Sequence, residues 1–409
     1  MTVFGPGRTP SPWSRAAVLT AVCLTVSCAG ATAFADGDAA NAPGRTAVGG
    51  AALGRPGVLV LPKSGSPDLP AGLSALSWLV ADARTGQVLA AKNAHRPLPP
   101  ASTLKTLFAV TVLPRFAQET VHTVTEEELS GVGAGSSKVG VQAGQPYTVA
   151  DLWRGVFLSS GNDAVHVLAR MNGSVEQTVS QMQAKAEMLG ADDTQVVSPD
   201  GYDAPGQVSS AYDLALFARA GLATPYFTGF TSTATALFPG GRDSKGREVP
   251  PYQIQNTNRL LTGADGVGRY PGLIGVKNGY TTNAGNTLIA AAQQGDRTLI
   301  VTVMNPRSGA PMAVYKEAGA LLEWGFEAAG VNGSVGTLNA GNRAVPASAP
   351  RRQPDSAPEA LGTAATAAHS TSGGNWVWSG AAGVLATAAG IAFARRRNLR
   401  SSSPRPEGL

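Results

Sequence analysis

Between residues 70 and 330 the apolar positions follow two different periods. Toward each end of this stretch they come in short, dense runs. Residues 73–83 (LSALSWLVADA) and 86–93 (GQVLAAKN) flank Arg84-Thr85-Gly86, and residues 287–293 (TLIAAAQ) and 297–305 (RTLIVTVMN) flank Gln294-Gly295-Asp296. Apolar runs of strand length on either side of turn-forming residues predict two antiparallel hairpins. Between the hairpins the spacing lengthens to three and four residues, which predicts helices over 103–116, 149–160, 163–171, 175–189 and 210–221. Residues 312–329 repeat the helical period and close the stretch. Strands at both ends with helices grouped between them predict an α+β fold, an antiparallel sheet with the terminal helix on one face and a helical cluster on the other. A cleft is expected where the cluster meets the sheet edge. The size fits one domain over 70–330.

Outside that domain the pattern changes. Arg8 and Arg15 precede the apolar run AAVLTAVCLTVSCAG, and Ala33-Phe34-Ala35 stands before Asp36 as a small-x-small cleavage site. Residues 1–35 therefore read as a signal peptide of the general secretory route, with lipidation of Cys28 as the alternative. Both cysteines of the chain, Cys23 and Cys28, lie in this segment, which leaves no thiol, disulfide or thiolate metal site in the exported protein. At the other end, residues 376–394 (WVWSGAAGVLATAAGIAFA) carry no charge and are followed by Arg395, Arg396 and Arg397. This run is long enough to cross a bilayer, with the arginines on the cytoplasmic side and Trp376 and Trp378 at the opposite interface. It predicts a single-pass protein of the cell membrane, its folded domain outside and residues 395–409 a basic cytoplasmic tail. Residues 331–375, rich in Ala, Pro, Ser, Thr and Gly, predict a disordered tether, and residues 36–69 a flexible N-terminal segment. The net charge of +5 on 409 residues owes much to the C-terminal arginines, so nucleic acid is not indicated as a partner.

Three short motifs carry candidate chemistry. Residues 100–110 (PASTLKTLFAV) place Ser102 and Lys105 three residues apart at the head of an apolar helical run. Read conservatively, Ser102 is a helix cap and Lys105 reaches to solvent. Read as chemistry, the i, i+3 spacing sets the amine beside the hydroxyl, where it can take the proton of an attacking oxygen. Ser160-Gly161-Asn162 falls between two helical patterns, where a glycine with positive φ and an Asn or Asp cap suffice to explain it. Lys277-Asn278-Gly279 opens the first strand of the second hairpin and reads as a loop lysine before an Asn-Gly turn. Their order and separation carry more weight than any one of them.

Taken together, S-x-x-K at 102–105, S-G-N at 160–162 and K-x-G at 277–279 resemble the serine penicillin-recognising enzymes. More narrowly, the chain resembles the D-alanyl-D-alanine carboxypeptidases among the low-molecular-weight penicillin-binding proteins. ADARTGQVLAAKNAHRPLPPASTLK and SPDGYDAPGQVSSAYDLA are similar to that family's opening hairpin and middle segment, so the resemblance covers about residues 74–328. It implies a β-lactamase/penicillin-binding transpeptidase-like fold. It also implies a serine hydrolase that removes the terminal D-alanine from peptidoglycan stem peptides and is acylated by β-lactams. Ser102 would be the nucleophile, Lys105 its base and Ser160 a proton relay. Asn162 would hold the substrate amide, and the N–H groups of Ser102 and Tyr280 would form the oxyanion hole. Lys277, Asn278, Gly279, Tyr280 and Thr281 would supply a binding strand whose edge pairs with an extended peptide. No histidine lies in these motifs, so Lys105 must act as a neutral amine. Its ordinary pKa of about 10.4 must fall toward neutrality, a change of about 4 kcal/mol in the balance of its two forms. Burial, the positive end of the helix and the like charge of Lys277 all act in that direction.

One position departs from the family pattern: K-T-G is K-N-G here. The lost threonine hydroxyl would help to hold the substrate's terminal carboxylate. Asn278 can donate through its amide, with Thr281 or Thr282 compensating, and Arg307 is the candidate for a later carboxylate-binding arginine. Rival readings are a serine β-lactamase, a non-catalytic wall-binding protein and a D-alanyl endopeptidase. No E-x-x-x-N occurs between Asn162 and Lys277 to supply a class A deacylating glutamate, whereas the endopeptidase stays open. His95, His122 and His166 are isolated, and neither H-E-x-x-H nor a phosphate loop is present, so no metal or nucleotide cofactor is expected.

Overall fold

The computed structural model describes residues 47–338, Ser244 apart. In chain order the elements are β1 (Val58–Val60), β2 (Ser77–Asp82), β3 (Gln87–Lys92), α1 (Lys105–Val112), β4 (Val121–Thr123), β5 (Pro146–Thr148), α2 (Val149–Leu158), α3 (Asn162–Met171), α4 (Val175–Met188) and α5 (Ala211–Leu222). There follow α6 (Phe227–Thr231), β6 (Thr235–Phe238), β7 (Tyr252–Gln255), α7 (Arg259–Thr262), β8 (Leu273–Thr281), β9 (Gly285–Gln294), β10 (Arg297–Met304), α8 (Ala313–Ala328) and β11 (Gly336–Thr337).

Seven strands form one sheet in the order β1-β3-β2-β10-β9-β8, with β11 also beside β3, and every pairing is antiparallel. The strand period of two sorts its side chains into two cores. Trp78, Val80, Leu299, Val301 and Val303 meet Val314, Ala318, Leu321 and Leu322 of α8. Leu79, Ala81, Ile300 and Met304 belong with the helical cluster on the opposite face. Because both faces are covered, β9 reads as a continuous apolar run. Ala290, Ala291 and Ala292 are all fully buried, the middle one on the cluster side and its neighbours on the α8 side. The predicted α+β layering is thus the observed one.

Within the cluster α1 is buried along its whole length, which requires apolar or partnered side chains all round. Phe108 packs on Trp153 of α2, and Trp153 on Phe157. A reciprocal cap starts α2: Thr148 accepts from Asp151 N while the Asp151 carboxylate accepts from Thr148 N. Such a cap is worth about 1 kcal/mol and fixes where α2 begins.

The structure corrects the reading in three places. The segment 36–69 is not loose from residue 47 onward, for Leu53 is buried, β1 pairs with β3, and Trp324 Nε1 donates to Pro67 O. Nor does the tether begin at 331, since Gly333 N donates to Leu61 O and β11 pairs with β3. These short strands are held by backbone pairing at the sheet edge, which leaves no apolar period to read. Lys277-Asn278-Gly279 does not open β9 but lies within a strand of its own, β8, where Asn278 and Gly279 pair with Leu288 and Thr287 in place of forming a turn. Residues 1–35 with Cys23 and Cys28, the rest of the tether, the run 376–394 and the tail 395–409 lie outside the described residues. Among the described residues no helix is long and apolar enough to cross a membrane.

Candidate active site

Ser102 lies in a 3-10 turn, Ala101–Leu104, that leads into α1. The turn is pinned before and after. Thr103 Oγ1 and Thr287 Oγ1 both donate to Pro100 O, which ties the turn to β9. Two glycines then close on the Ala101–Ser102 peptide from opposite sides. A Cβ on Gly201 would stand 1.9 Å from Ala101 O, and one on Gly279 would stand 2.6 Å from Ser102 N. Only residues without side chains let the loop and the edge strand approach this closely. At 279 the missing side chain also leaves the Ser102 N–H open.

Lys105 begins α1 and is fully buried. Its Nζ donates to Ser102 Oγ at 2.7 Å and to Asp200 O at 2.6 Å. The amine is therefore aimed at the hydroxyl by a carbonyl on a different segment, a contact that the motif spacing does not specify. Lys277, equally buried on β8, donates to the Asn278 carbonyl.

Ser160, Gly161 and Asn162 form the second wall. The positive φ here belongs to Ser160, at 57°, and not to Gly161, whose φ is −60°. Gly161 is required for another reason, since a Cβ there would meet Asp163 Oδ1 at 2.7 Å. The buried Asp163 carboxylate in turn accepts from Val139 N, Gly140 N and Val141 N, and Asn162 N donates to Ser137 O. The loop over 134–137 is thereby fastened to the head of α3. Asn162 Oδ1 is buried and has no protein partner among the described residues. A buried acceptor of this kind at a cleft wall is suited to a ligand N–H.

The third wall is β8, the edge strand of the sheet. Asn278, Gly279, Tyr280, Thr281 and Thr282 line a cleft of about 410 Å³ together with Ser102, Ser160 and Asn162. Thr257 Oγ1 donates to Asn278 Oδ1 at 2.9 Å, which leaves both N–H donors of that amide for another acceptor. Arg307 is not among the lining residues; its backbone N donates to Ser74 Oγ. The sequence reading assigned no role to Asp163, Asp200, Gly201, Tyr202, Asp203 or Thr257. An Asp-Gly dipeptide such as 200–201 is a turn signal that could have marked this loop, whereas the bond from Thr257 has no local signature.

Burial brings Lys105 down to about 8, against the opposing pull of the Asp200 and Asp163 carboxylates. Lys277 lies well below the ordinary lysine range, first through burial and then through the charge of Lys105. The expected repulsion between the two lysines thus acts on Lys277, and Lys105 owes its shift to desolvation. The sign for reactivity follows. Below about 8 the amine is mostly protonated and cannot accept the Ser102 proton, so the rate of β-lactam acylation should rise about tenfold per pH unit and level off above that value. Acylation rate constants measured from about pH 6 to pH 10 check this; a flat profile would remove Lys105 from the role of base.

Comparison with known proteins follows the same lines. The family model described as D-alanyl-D-alanine carboxypeptidase matches residues 64–308, which include all three motifs. A D-alanyl-D-alanine carboxypeptidase of Mycobacterium tuberculosis, DacB2, is 38% identical over 279 residues, 67% of this chain and 89% of the relative. A crystal structure of a D-alanyl-D-alanine carboxypeptidase from the same species superposes with a TM-score of 0.60 at 37% identity, covering 68% of this chain and all of that one. Penicillin binding protein 6B of Escherichia coli gives a TM-score of 0.54 at 35% identity, covering 63% of this chain and 79% of that one.

Proposed function

The chain belongs to the D-alanyl-D-alanine carboxypeptidase family, and from this premise we propose that it removes the terminal D-alanine from peptidoglycan stem peptides through an ester on Ser102. The observation that carries the reading is the 2.7 Å contact between the Lys105 amine and the Ser102 hydroxyl at the floor of a cleft walled by an edge strand. Neutral Lys105 takes the Oγ proton as Oγ attacks the penultimate carbonyl. The N–H groups of Ser102 and Tyr280 receive the oxyanion that forms. The C–N bond then breaks, and the proton passes by way of Ser160 to the departing amine of D-alanine. Water afterwards attacks the ester carbonyl and gives its proton to Lys105, which passes it to Ser102 Oγ as the ester C–O bond breaks, so that the free serine and the neutral amine are restored. Asn162 holds the substrate amide, and Asn278, with Lys277 buried beside it, faces the terminal carboxylate. Incubating the protein with a D-Ala-D-Ala peptide and with a cross-linked dimer, and identifying products by mass, tests the reading. Release of free D-alanine supports it, cleavage of the dimer alone favours the endopeptidase, and no product from either favours a wall-binding protein.

Asn278 is a tolerated replacement in this reading. Its side-chain Oδ1 accepts from Thr257, so its Nδ2 is left to donate to a carboxylate as a threonine hydroxyl would. Restoring threonine should change kcat/KM on a D-Ala-D-Ala peptide by about tenfold or less, one decade being about 1.4 kcal/mol. An inactive wild type rescued by Asn278→Thr over several decades would contradict it.

We also read the protein as exported and anchored by residues 376–394, with the domain on the wall side of the cell membrane. The uncharged run and the arginines after it support this. Truncation before Trp376 should release active enzyme into the medium. Retention of the truncated form in the membrane fraction would favour lipidated Cys28.

A further inference from the structure

The surface of the cleft is neutral except at one point. Among its lining residues Asp203 alone carries a charge at neutral pH, the rest being Ser, Thr, Asn, Tyr, Gly and Ala. Lys105 and Lys277 lie beneath that surface, fully buried. Asp203 is also held in place. Its Oδ2 accepts from Asn283 N at 3.1 Å, which fastens the loop after Gly201 to the turn between β8 and β9, while Oδ1 has no protein donor among the described residues. The hydrolysis described above has no use for this group, since a carboxylate here neither moves a proton nor attracts the substrate's terminal carboxylate.

We propose that Asp203 is a subsite for a cation and selects peptides in which the residue before D-Ala-D-Ala bears a free amine at the end of its side chain. This rests on the carboxypeptidase reading and adds to it the class of stem peptide. The geometry is suited to that residue. Gly201 abuts the Ser102 amide, and Asp203 follows two residues later, within about 7 Å of chain. The substrate residue preceding the penultimate D-alanine lies one residue, about 3.5 Å, from the attacked carbonyl, and a lysine-length side chain covers the remaining distance. The cleft then runs in the same sense as its substrate: the Asn278 amide sits where the terminal carboxylate enters, and Asp203, tied to the turn that follows β8, sits where the chain leaves. Tyr202 and Tyr280, 38% and 68% exposed, line the same cleft and add aromatic surface that suits a cation. An amine acylated in a cross-link carries no charge, so this subsite favours stem peptides that are not cross-linked.

The test uses three D-Ala-D-Ala peptides that differ only at the side-chain nitrogen of the preceding lysine: free, acetylated and succinylated. For the wild type at low salt, kcat/KM should fall in that order, by about fivefold between the first two, as for a partly exposed ion pair. The preference should shrink as ionic strength rises from about 0.05 to 0.5 M. Asp203→Asn keeps an oxygen for Asn283 N and removes the charge, so the free-to-acetylated ratio should fall to about one. These ratios are taken within each protein, so loss of fold or of general activity cancels. A wild-type ratio near one at low salt, a ratio indifferent to salt, or a preference that persists in Asp203→Asn would overturn the proposal. Failure to release D-alanine from any of the three peptides would instead overturn the carboxypeptidase reading beneath it.

Discussion

Replacing Ser102 with alanine should abolish covalent labelling by penicillin and reduce carboxypeptidase turnover on the order of 10⁶-fold, the scale seen when an acyl-transfer enzyme loses its nucleophile. The β-lactam amide stands in for the scissile peptide bond, and the Ser102 oxygen is the one beside the buried Lys105 amine. Mass spectrometry of a digested adduct should place the label on the peptide that contains Ser102. Labelling that survives Ser102→Ala would refute the assignment. Lys105→Met should also stop acylation while filling nearly the same volume. Its effect on stability separates chemistry from folding. At pH 7 the folded protein must hold this lysine below its unfolded pKa, which disfavours the charged form by about 3 kcal/mol. Through this group stability rises with pH from about 8 to about 10.5, and in Lys105→Met the slope should be shallower, the remainder coming from the depressed Lys277. The substitution removes this cost but leaves Asp200 O without its donor, a loss of about 1 to 3 kcal/mol, so the melting temperature should move little.

A second large loss is expected at a residue with no reactive atom. Gly201 has φ of +82°, and an alanine there would carry its Cβ to 1.9 Å from Ala101 O. The backbone conformation alone costs about 1 to 2 kcal/mol for a residue with a side chain. The clash is with backbone, so it is relieved only by shifting the loop or the turn that bears Ser102. Displacement of a reacting group by about 1 Å costs on the order of 10²-fold in rate. Gly201→Ala should accordingly lower kcat/KM by about two decades and melt several degrees earlier. Gly206 is the control. It has nearly the same φ, +83°, but a Cβ there would stand 3.8 Å from the side-chain amide of Gln195, an ordinary van der Waals contact. Gly206→Ala should lose stability through strain alone and keep its kcat/KM. Equal activity losses in the two variants would show that the approach of Gly201 to Ser102 is not what matters.

Much of the architecture could be read from local pattern. The two hairpins, the five central helices and the closing helix are each marked by their own spacing of apolar residues, and burial against the two cores holds them in place. The cluster on one face and α8 on the other follow from which stretches are helical and in what order. Where pairing is made by backbone alone, the pattern is silent. The strands β1 and β11 fall in segments read as loose, and their residues carry no alternation. The Asn-Gly of 278–279 shows the converse case, in which a turn signal is overridden by cross-strand pairing with Leu288 and Thr287.

At the candidate site the division is similar. The sequence alone determined the residue types at 102, 105, 160, 162 and 277, because a hydroxyl and an amine one helical turn apart are neighbours by helix geometry. It also determined that a polar cleft would need a lysine depressed by burial. Tertiary structure decided what no spacing encodes. It set the Asp200 carbonyl on Lys105, Thr257 on Asn278 and Asp163 on the backbone of 139–141, and it placed Asp203 in the cleft lining and Arg307 outside it. It likewise assigned the positive φ to Ser160, where sequence preference pointed to Gly161. The physical reason is range. Helix spacing and turn chemistry act over a few residues, whereas the carbonyl that holds Lys105 comes from 95 residues away and is brought there only by the packing of the whole domain.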